Sequence, residues 1–209
     1  MKKCPIVVTG PTGAGKSTQC RMLSQLLSID YIHEYIDLPG GEEMLGKLIG
    51  GEISMLNFQD YVLGKFDEQL AVSKSDVFVI ERLPEECAMI FCDGDETVLE
   101  KARAVQNKYG IEGFAGDMKV ITINNYGQSP NAVLNEILGT IFGTKNVTPA
   151  DVQHLANTSG VVIYLKSTPD LCMERMRKRG RGPEAKTKFS FIENMCNKYE
   201  GYINRFTSV

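Results

Sequence analysis

The sequence predicts an α/β fold in which a parallel sheet lies between two layers of helices. Three observations carry that expectation. Short β-branched runs, such as Ile6-Val7-Val8-Thr9 and residues 161–165, read as strands buried on both faces. The stretches between such runs place apolar residues at helical spacing. Strands and helices alternate along the chain, which requires crossover connections and therefore parallel pairing.

Taken in order, the first strand ends at a glycine turn. A helix follows over 16–27, with Met22, Leu23, Leu26 and Leu27 at helical spacing. Residues 31–35 alternate and predict a second strand. Helical patterns cover 42–48 and 55–72. A third strand at 77–80 is closed by Glu81-Arg82, and 161–165 forms a fourth. Thr148-Pro149 and Thr168-Pro169 each set an N-cap threonine before a proline at the first helical position. A last helix covers about 190–205. The stretch 93–160 reads as an insertion within one domain spanning 1–209. It holds an extra strand at 119–123 between Gly- and Asn-rich turns.

Composition narrows the function classes. The chain has 209 residues, enough for a sizeable core without a disulfide or metal staple. Its 43% hydrophobic and 23% charged residues exclude a disordered or collagen-like chain. A net charge of −3 argues against a nucleic-acid binder, for which a basic domain is expected. Apolar runs fall far short of the ~20 residues of a membrane span. Met1-Lys2-Lys3 is followed by an apolar stretch cut at Thr9-Gly10, which argues against a signal peptide. Six cysteines without paired spacing fit free thiols and a cytoplasmic setting. Two histidines are too few to suggest a zinc site. The charge is also uneven. Residues 166–188 carry eight basic side chains against three acids, a net +5 that leaves −8 for the rest.

The glycine turn carries the strongest motif. Gly10-Pro11-Thr12-Gly13-Ala14-Gly15-Lys16-Ser17, followed by Thr18, fits GxxxxGK[ST] between a strand and a helix. Glycines let successive backbone N–H groups close on phosphate oxygens, and the helix N-terminus adds its positive end. Lys16 would reach the β- and γ-phosphates, and the Ser17 hydroxyl would ligate Mg²⁺. The chain is therefore expected to bind a nucleoside triphosphate. No guanine-reading NKxD accompanies the motif, so a signalling GTPase is not expected. Asp37-Leu38-Pro39-Gly40 is most simply a Pro-Gly turn.

Two carboxylates suggest the acceptor side. Glu34, placed in the second strand, could take a proton from a substrate hydroxyl. Glu81-Arg82 closes the third strand at its carboxyl end, where open α/β sheets bind ligands. There an acid can complete Mg²⁺ coordination while the arginine holds a phosphoryl oxygen.

Together with the glycine motif and Glu34, the residues Phe58-Gln59-Asp60-Tyr61, Glu81-Arg82 and the run from Thr168 to Glu184 resemble the deoxynucleoside kinases of the deoxycytidine kinase and mitochondrial thymidine kinase group. The resemblance covers about 6–91 and 161–202. It implies a three-layer P-loop kinase fold with strand order 2-3-1-4, an arginine-rich lid at about 175–188, and ATP with Mg²⁺ as donor. A further family strand and an adenine-facing loop have no counterpart near the last helix. By the same resemblance Glu34 is the general base for the nucleoside 5′-hydroxyl. Gln59 reads the base, Phe91 stacks on it, and Val62, Phe66 and Cys87 line the pocket. Arg82 holds the 5′-oxygen, with Glu81 beside Ser17 at the metal. Arg175, Arg179 and Arg181 cover the triphosphate, and Glu184 bonds the 3′-hydroxyl. Guanidinium forks suit charge spread over phosphate oxygens, which explains the +5 segment.

A glutamine amide can accept from thymine N3–H while donating to O4, or match cytosine when flipped. Phe66 and Cys87 stand where the deoxycytidine and purine branch has an arginine and an aspartate. Thymidine is therefore favoured, with deoxycytidine next. Departures are the tyrosine after Glu34, the absence of tryptophan, Leu83 after Arg82, and Ala88 in place of an arginine. The family also implies a homodimer. A thymidylate kinase-type monophosphate kinase and a non-catalytic nucleotide-binding regulator are the competing readings.

Overall fold

The structure, a computed structural model, describes residues 3–114 and 116–207. Met1 and Lys2, part of the opening that argues above against a signal peptide, lie outside the described residues. So does the side chain of Pro183.

The first strand becomes the middle of the sheet because every residue in it is buried. This strand, β1 (Cys4–Thr9), pairs in parallel with β3 (Val77–Glu81) on one side and β5 (Val161–Lys166) on the other. β2 (Asp30–Ile32) lies outside β3, and β4 (Lys119–Asn124) lies outside β5. The order is β2-β3-β1-β5-β4, all parallel. The expected order 2-3-1-4 is met by β2, β3, β1 and β5. A fifth strand is present, and it precedes its neighbour in sequence. β4 is the extra strand of the 93–160 stretch. Its mixed exposure, with Ile121 and Ile123 buried and Thr122 and Asn124 exposed, is that of an edge.

Alternate side chains of the sheet feed two cores. On one face Val7, Phe78, Ile80 and Val162 pack with Phe58, Phe66 and Leu70 of α3 (Met55–Val72) and Tyr199 of α9 (Phe189–Thr207). The short helix α4 (Glu86–Met89) and α5 (Glu96–Lys108) close that side. On the other face Ile6, Val8, Val79 and Ile163 meet Leu23 of α1 (Lys16–Leu27), Ile137 of α6 (Pro130–Phe142) and Met176 of α8 (Pro169–Arg179). The remaining helices are α2 (Gly41–Ile49) and α7 (Pro149–Leu155). Both threonine caps form: Thr168 accepts from Leu171 N–H, and Thr148 makes a reciprocal capping box with Asp151. No helix among the described residues is long and apolar enough to cross a membrane.

The second strand differs from its expectation. β2 ends at Ile32, opposite Ile80. Beyond it the Gln69 side chain takes over the role of a neighbouring strand: its Oε1 accepts from His33 N–H at 2.8 Å and its Nε2 donates to His33 O at 2.9 Å. Glu34 therefore leaves the sheet and begins a 3-10 turn at Tyr35–Asp37. Cys20, Cys87, Cys92, Cys172 and Cys196 are free thiols.

Candidate active site

Parallel strands put all their carboxyl ends on one edge, and the candidate residues gather there. After β1 the chain turns through Gly10, Pro11, Thr12, Gly13, Ala14 and Gly15 into Lys16, Ser17 and Thr18 of α1. Gly13 and Gly15 have φ of 87° and 96°, which a side chain would oppose. A Cβ on Gly13 would also lie 2.8 Å from Cys172 Cα. The turn is thus pressed against the start of α8, with no room for anything larger than glycine. Lys16 is 4% exposed; its ammonium donates to Pro11 O at 3.0 Å and lies 3.6 Å from Glu81. Burial, then the Arg82 charge, lowers its pKa.

A cavity of about 1060 Å³ opens from this turn. Its lining includes most of the residues singled out above: Thr12, Gly13, Gly15 to Thr18, Glu34, Gln59, Val62, Phe66, Glu81, Arg82, Cys87, Phe91, Arg175, Arg179, Arg181 and Glu184. Gly10, Pro11 and Ala14 lie behind the lining. A Cβ on Gly10 would stand 2.7 Å from Leu165 O, and Ala14 is fully buried.

At the cavity floor Arg82 Nη2 lies 3.0 Å from Glu34 Oε1. Arg82 has φ 69°, a left-handed backbone that a non-glycine residue adopts at a cost. The turn at the end of β3 holds it there, with its N–H donating to Val8 O at 3.2 Å. Its guanidinium sits 4.9 Å from the centre of the Phe91 ring, and its buried Nε has no partner among the described residues. Burial works to raise the Glu34 pKa, but the Arg82 and Lys16 charges outweigh it and hold the carboxyl below its usual range. The neighbouring Glu81 shows the opposite result. Burial and the Glu34 charge push it up to about 7. Two carboxylates side by side are driven apart, one kept ionised and the other needing a cation.

Gln59 is 3% exposed in α3, with Nε2 donating weakly to Met55 Sδ at 3.3 Å. Val62, Phe66 and Cys87 are buried beside it. Phe91 lies over Arg82 in this structure. The lid residues are engaged with protein groups. Arg179 Nη2 donates to both Glu184 oxygens at 2.7 and 2.6 Å, and Arg181 Nη2 donates to Asp37 at 2.6 Å. Arg175 Nη1 reaches Gly13 O and Ala14 O at 3.4 Å.

Three residues of this site were not singled out from the sequence. Asp37, read there as part of a turn, pairs with Arg181 and, at 3.4 Å, with Arg21. Glu86, fully buried, accepts from Thr9 Oγ1 at 2.5 Å and Leu83 N–H at 2.8 Å. Asn125, at the carboxyl end of β4, donates to Ala14 O at 2.6 Å. The strand-end rule that marked Glu81-Arg82 would have marked Asn125 too.

The acceptable metal donors are few. Among the described residues no group of three His, Cys, Asp or Glu side chains converges. Mg²⁺ needs no such group, because it keeps waters and takes substrate phosphate oxygens beside one or two protein ligands. Ser17 and the cation-seeking Glu81 line the cavity together and fit that demand.

The parallel sheet and this glycine turn define a P-loop protein. Residues 141–209 match the family model described as deoxynucleoside kinase. Deoxycytidine kinase 2 of Gallus gallus is 43% identical over 42 residues, which are 20% of this chain and 16% of that relative. The fold of the whole chain is shared more widely. A structure of deoxyadenosine kinase from M. mycoides with bound dATP has a TM-score of 0.56 at 18% identity, covering 97% of this chain and 86% of that one. A structure of the same kinase with products dCMP and a flexible dCDP has a TM-score of 0.58 at 18% identity, covering 98% and 85%.

Proposed function

We propose that the protein is an ATP-dependent deoxynucleoside kinase, moving the γ-phosphoryl group to the 5′-hydroxyl of a pyrimidine deoxynucleoside. The observation that carries this is the Glu34–Arg82 pair, 3.0 Å apart in the cavity that the phosphate turn also lines. Glu34 is kept ionised by Arg82 and Lys16, so it can accept the 5′-hydroxyl proton as the oxygen attacks. Arg82 orients the same oxygen. The N–H groups of residues 13–18 and Lys16 bind the β- and γ-phosphates. Arg175, Arg179 and Arg181 neutralise charge on the transferring group, Arg179 and Arg181 by exchanging Glu184 and Asp37 for phosphate oxygens. Ser17 and Glu81 would hold Mg²⁺, which would supply positive charge to the phosphate oxygens.

On the acceptor side, the Gln59 amide reads N3–H and O4 of thymine, and Phe91 stacks on the ring after moving from Arg82. Val62, Phe66 and Cys87 surround the base with apolar surface suited to the thymine methyl. Glu184 reaches the sugar 3′-hydroxyl when Arg179 releases it. The names of the similar proteins point to deoxycytidine and deoxyadenosine, so the base is the finer part of this reading. It rests on the absence of charge at Phe66 and Cys87. One kinase domain across 1–209, with its lid at 175–188 and a homodimeric assembly checked by gel filtration, belongs to the same reading.

Turnover of the four deoxynucleosides with ATP and Mg²⁺ tests it. Thymidine is expected to give the highest kcat/KM, with deoxycytidine second. A purine deoxynucleoside in first place would overturn the base assignment.

A further inference from the structure

The geometry points to Asn125 as a positioning residue for the triphosphate, a role given to the strand β4 that lies outside the matched 141–209 stretch. It rests on reading the glycine turn as a triphosphate cradle. Asn125 is 4% exposed and makes contacts with three separate parts of the site. Its N–H donates to Lys166 O at 2.8 Å, which extends the β4–β5 ladder by one rung. Its side-chain Nδ2 donates to Ala14 O at 2.6 Å. Its Oδ1 accepts from Arg175 Nη2 at 3.2 Å. The backbone therefore fixes the residue to the sheet, and both ends of the amide are spent on the site.

What this does follows from peptide planarity. The C=O of Ala14 and the N–H of Gly15 belong to one trans peptide and point in opposite directions. Holding Ala14 O toward Asn125 turns the Gly15 N–H the other way, toward the cavity that Gly15 lines. Gly15 has φ 96°, and glycine by itself would leave that peptide free to rotate. The second contact acts on charge. Arg175 Nη1 lies 3.4 Å from Gly13 O and Ala14 O, and Asn125 Oδ1 holds the other nitrogen, so the guanidinium is fixed at the edge of the turn. A third tie supports both. Gln19 of α1 donates Nε2 to Pro130 O at the start of α6, fastening the segment after β4 to the helix that carries Lys16. Asn125 thus pre-orients one N–H donor and one cation before nucleotide arrives, which lowers the ordering cost of binding.

The test separates two contacts and two ligands. Asn125→Ala removes both side-chain bonds. Asn125→Asp keeps an acceptor for Arg175 but loses the donor to Ala14 O. Calorimetric affinity for ATP with Mg²⁺ is measured beside KM for the nucleoside and for ATP. Asn125→Ala is expected to weaken ATP binding roughly 5- to 30-fold, the loss expected for one or two such hydrogen bonds, while nucleoside KM stays within about twofold. Asn125→Asp should also weaken ATP binding, because a carboxylate then faces a carbonyl. The exposed Thr122 of the same strand gives the control, since Thr122→Ala should change neither. Equal losses for ATP and nucleoside would reduce Asn125 to a general structural role and overturn the inference, as would unchanged ATP affinity in both variants. If Asn125→Ala does not fold, Asn125→Asp decides alone on the same ATP readout. An unaltered protein that binds ATP but phosphorylates no nucleoside refutes the kinase reading, and the calorimetric ATP affinities of the variants then decide the role of Asn125 alone. One without ATP affinity overturns both.

Discussion

At the residue scale the site works through contrasts between neighbours. Glu34 and Glu81 share Lys16 and Arg82, yet one is held below the usual carboxyl range and the other is raised to about 7. The difference follows from which cation each touches: Arg82 lies 3.0 Å from Glu34, whereas Lys16 lies 3.6 Å from Glu81. In the proposed kinase reaction the two acids take different tasks, a base and a cation ligand. Glu34→Gln keeps the size and a hydrogen-bonding oxygen for Arg82 but cannot take a proton. A steady-state assay is expected to show kcat lowered roughly 10²–10⁴-fold, with substrate affinities little changed. A variant retaining most of its kcat would remove Glu34 from the base role. Both acids were legible in the sequence, but the placement of Glu34 was not. Its strand ends early because a glutamine 36 residues after His33 caps that residue, and no local pattern reports a contact of that range.

At the element scale, the chain's own periodicity was informative where elements are buried on a single stripe. The 55–72 helix has the bounds that its spacing predicts, and both threonine-proline caps form as expected. The middle of the chain was harder to read because β4 is an edge strand. Its alternation is interrupted at exposed Lys119 and half-buried Val120, and its neighbour β5 comes later in sequence. The importance of Asn125 depends on that unread pairing. The glycine turn offers a test at the same scale. Gly13 needs positive φ and abuts the backbone of Cys172, so Gly13→Ala strains the turn and pushes it from α8. Chemical denaturation should show a loss of at least about 1 kcal/mol from the backbone alone, together with weakened ATP binding. Wild-type stability and affinity in this variant would contradict the packing described.

At the scale of the whole molecule, the overall charge of −3 conceals a local arrangement. The basic 166–188 segment is partly neutralised within the fold. Arg179 and Arg181 are engaged by Glu184 and Asp37, which ties the lid to the 3-10 turn after β2. The fold also buries acid beneath the sheet edge. Burial raises the pKa of Glu86, although Thr9 and Leu83 hydrogen bonds and the Arg82 charge oppose it. A folded-state pKa above the ordinary carboxyl value means the native protein holds its proton longer than the unfolded chain. The stability from this group is complete below the ordinary carboxyl range and is lost as pH rises through the raised folded value. Thermal unfolding from pH 4 upward should therefore show a declining contribution, and Glu86→Gln should flatten that decline. A slope identical in the variant would assign it to other groups.

The central claim is that the phosphoryl acceptor is a nucleoside hydroxyl. Thymidine and thymidylate, each incubated with the protein, Mg²⁺ and ATP labelled at the γ-phosphate, test it most directly. Label is expected on thymidine, recovered as its 5′-monophosphate, with thymidylate left unlabelled. Label appearing on thymidylate alone would contradict it and make the protein a monophosphate kinase.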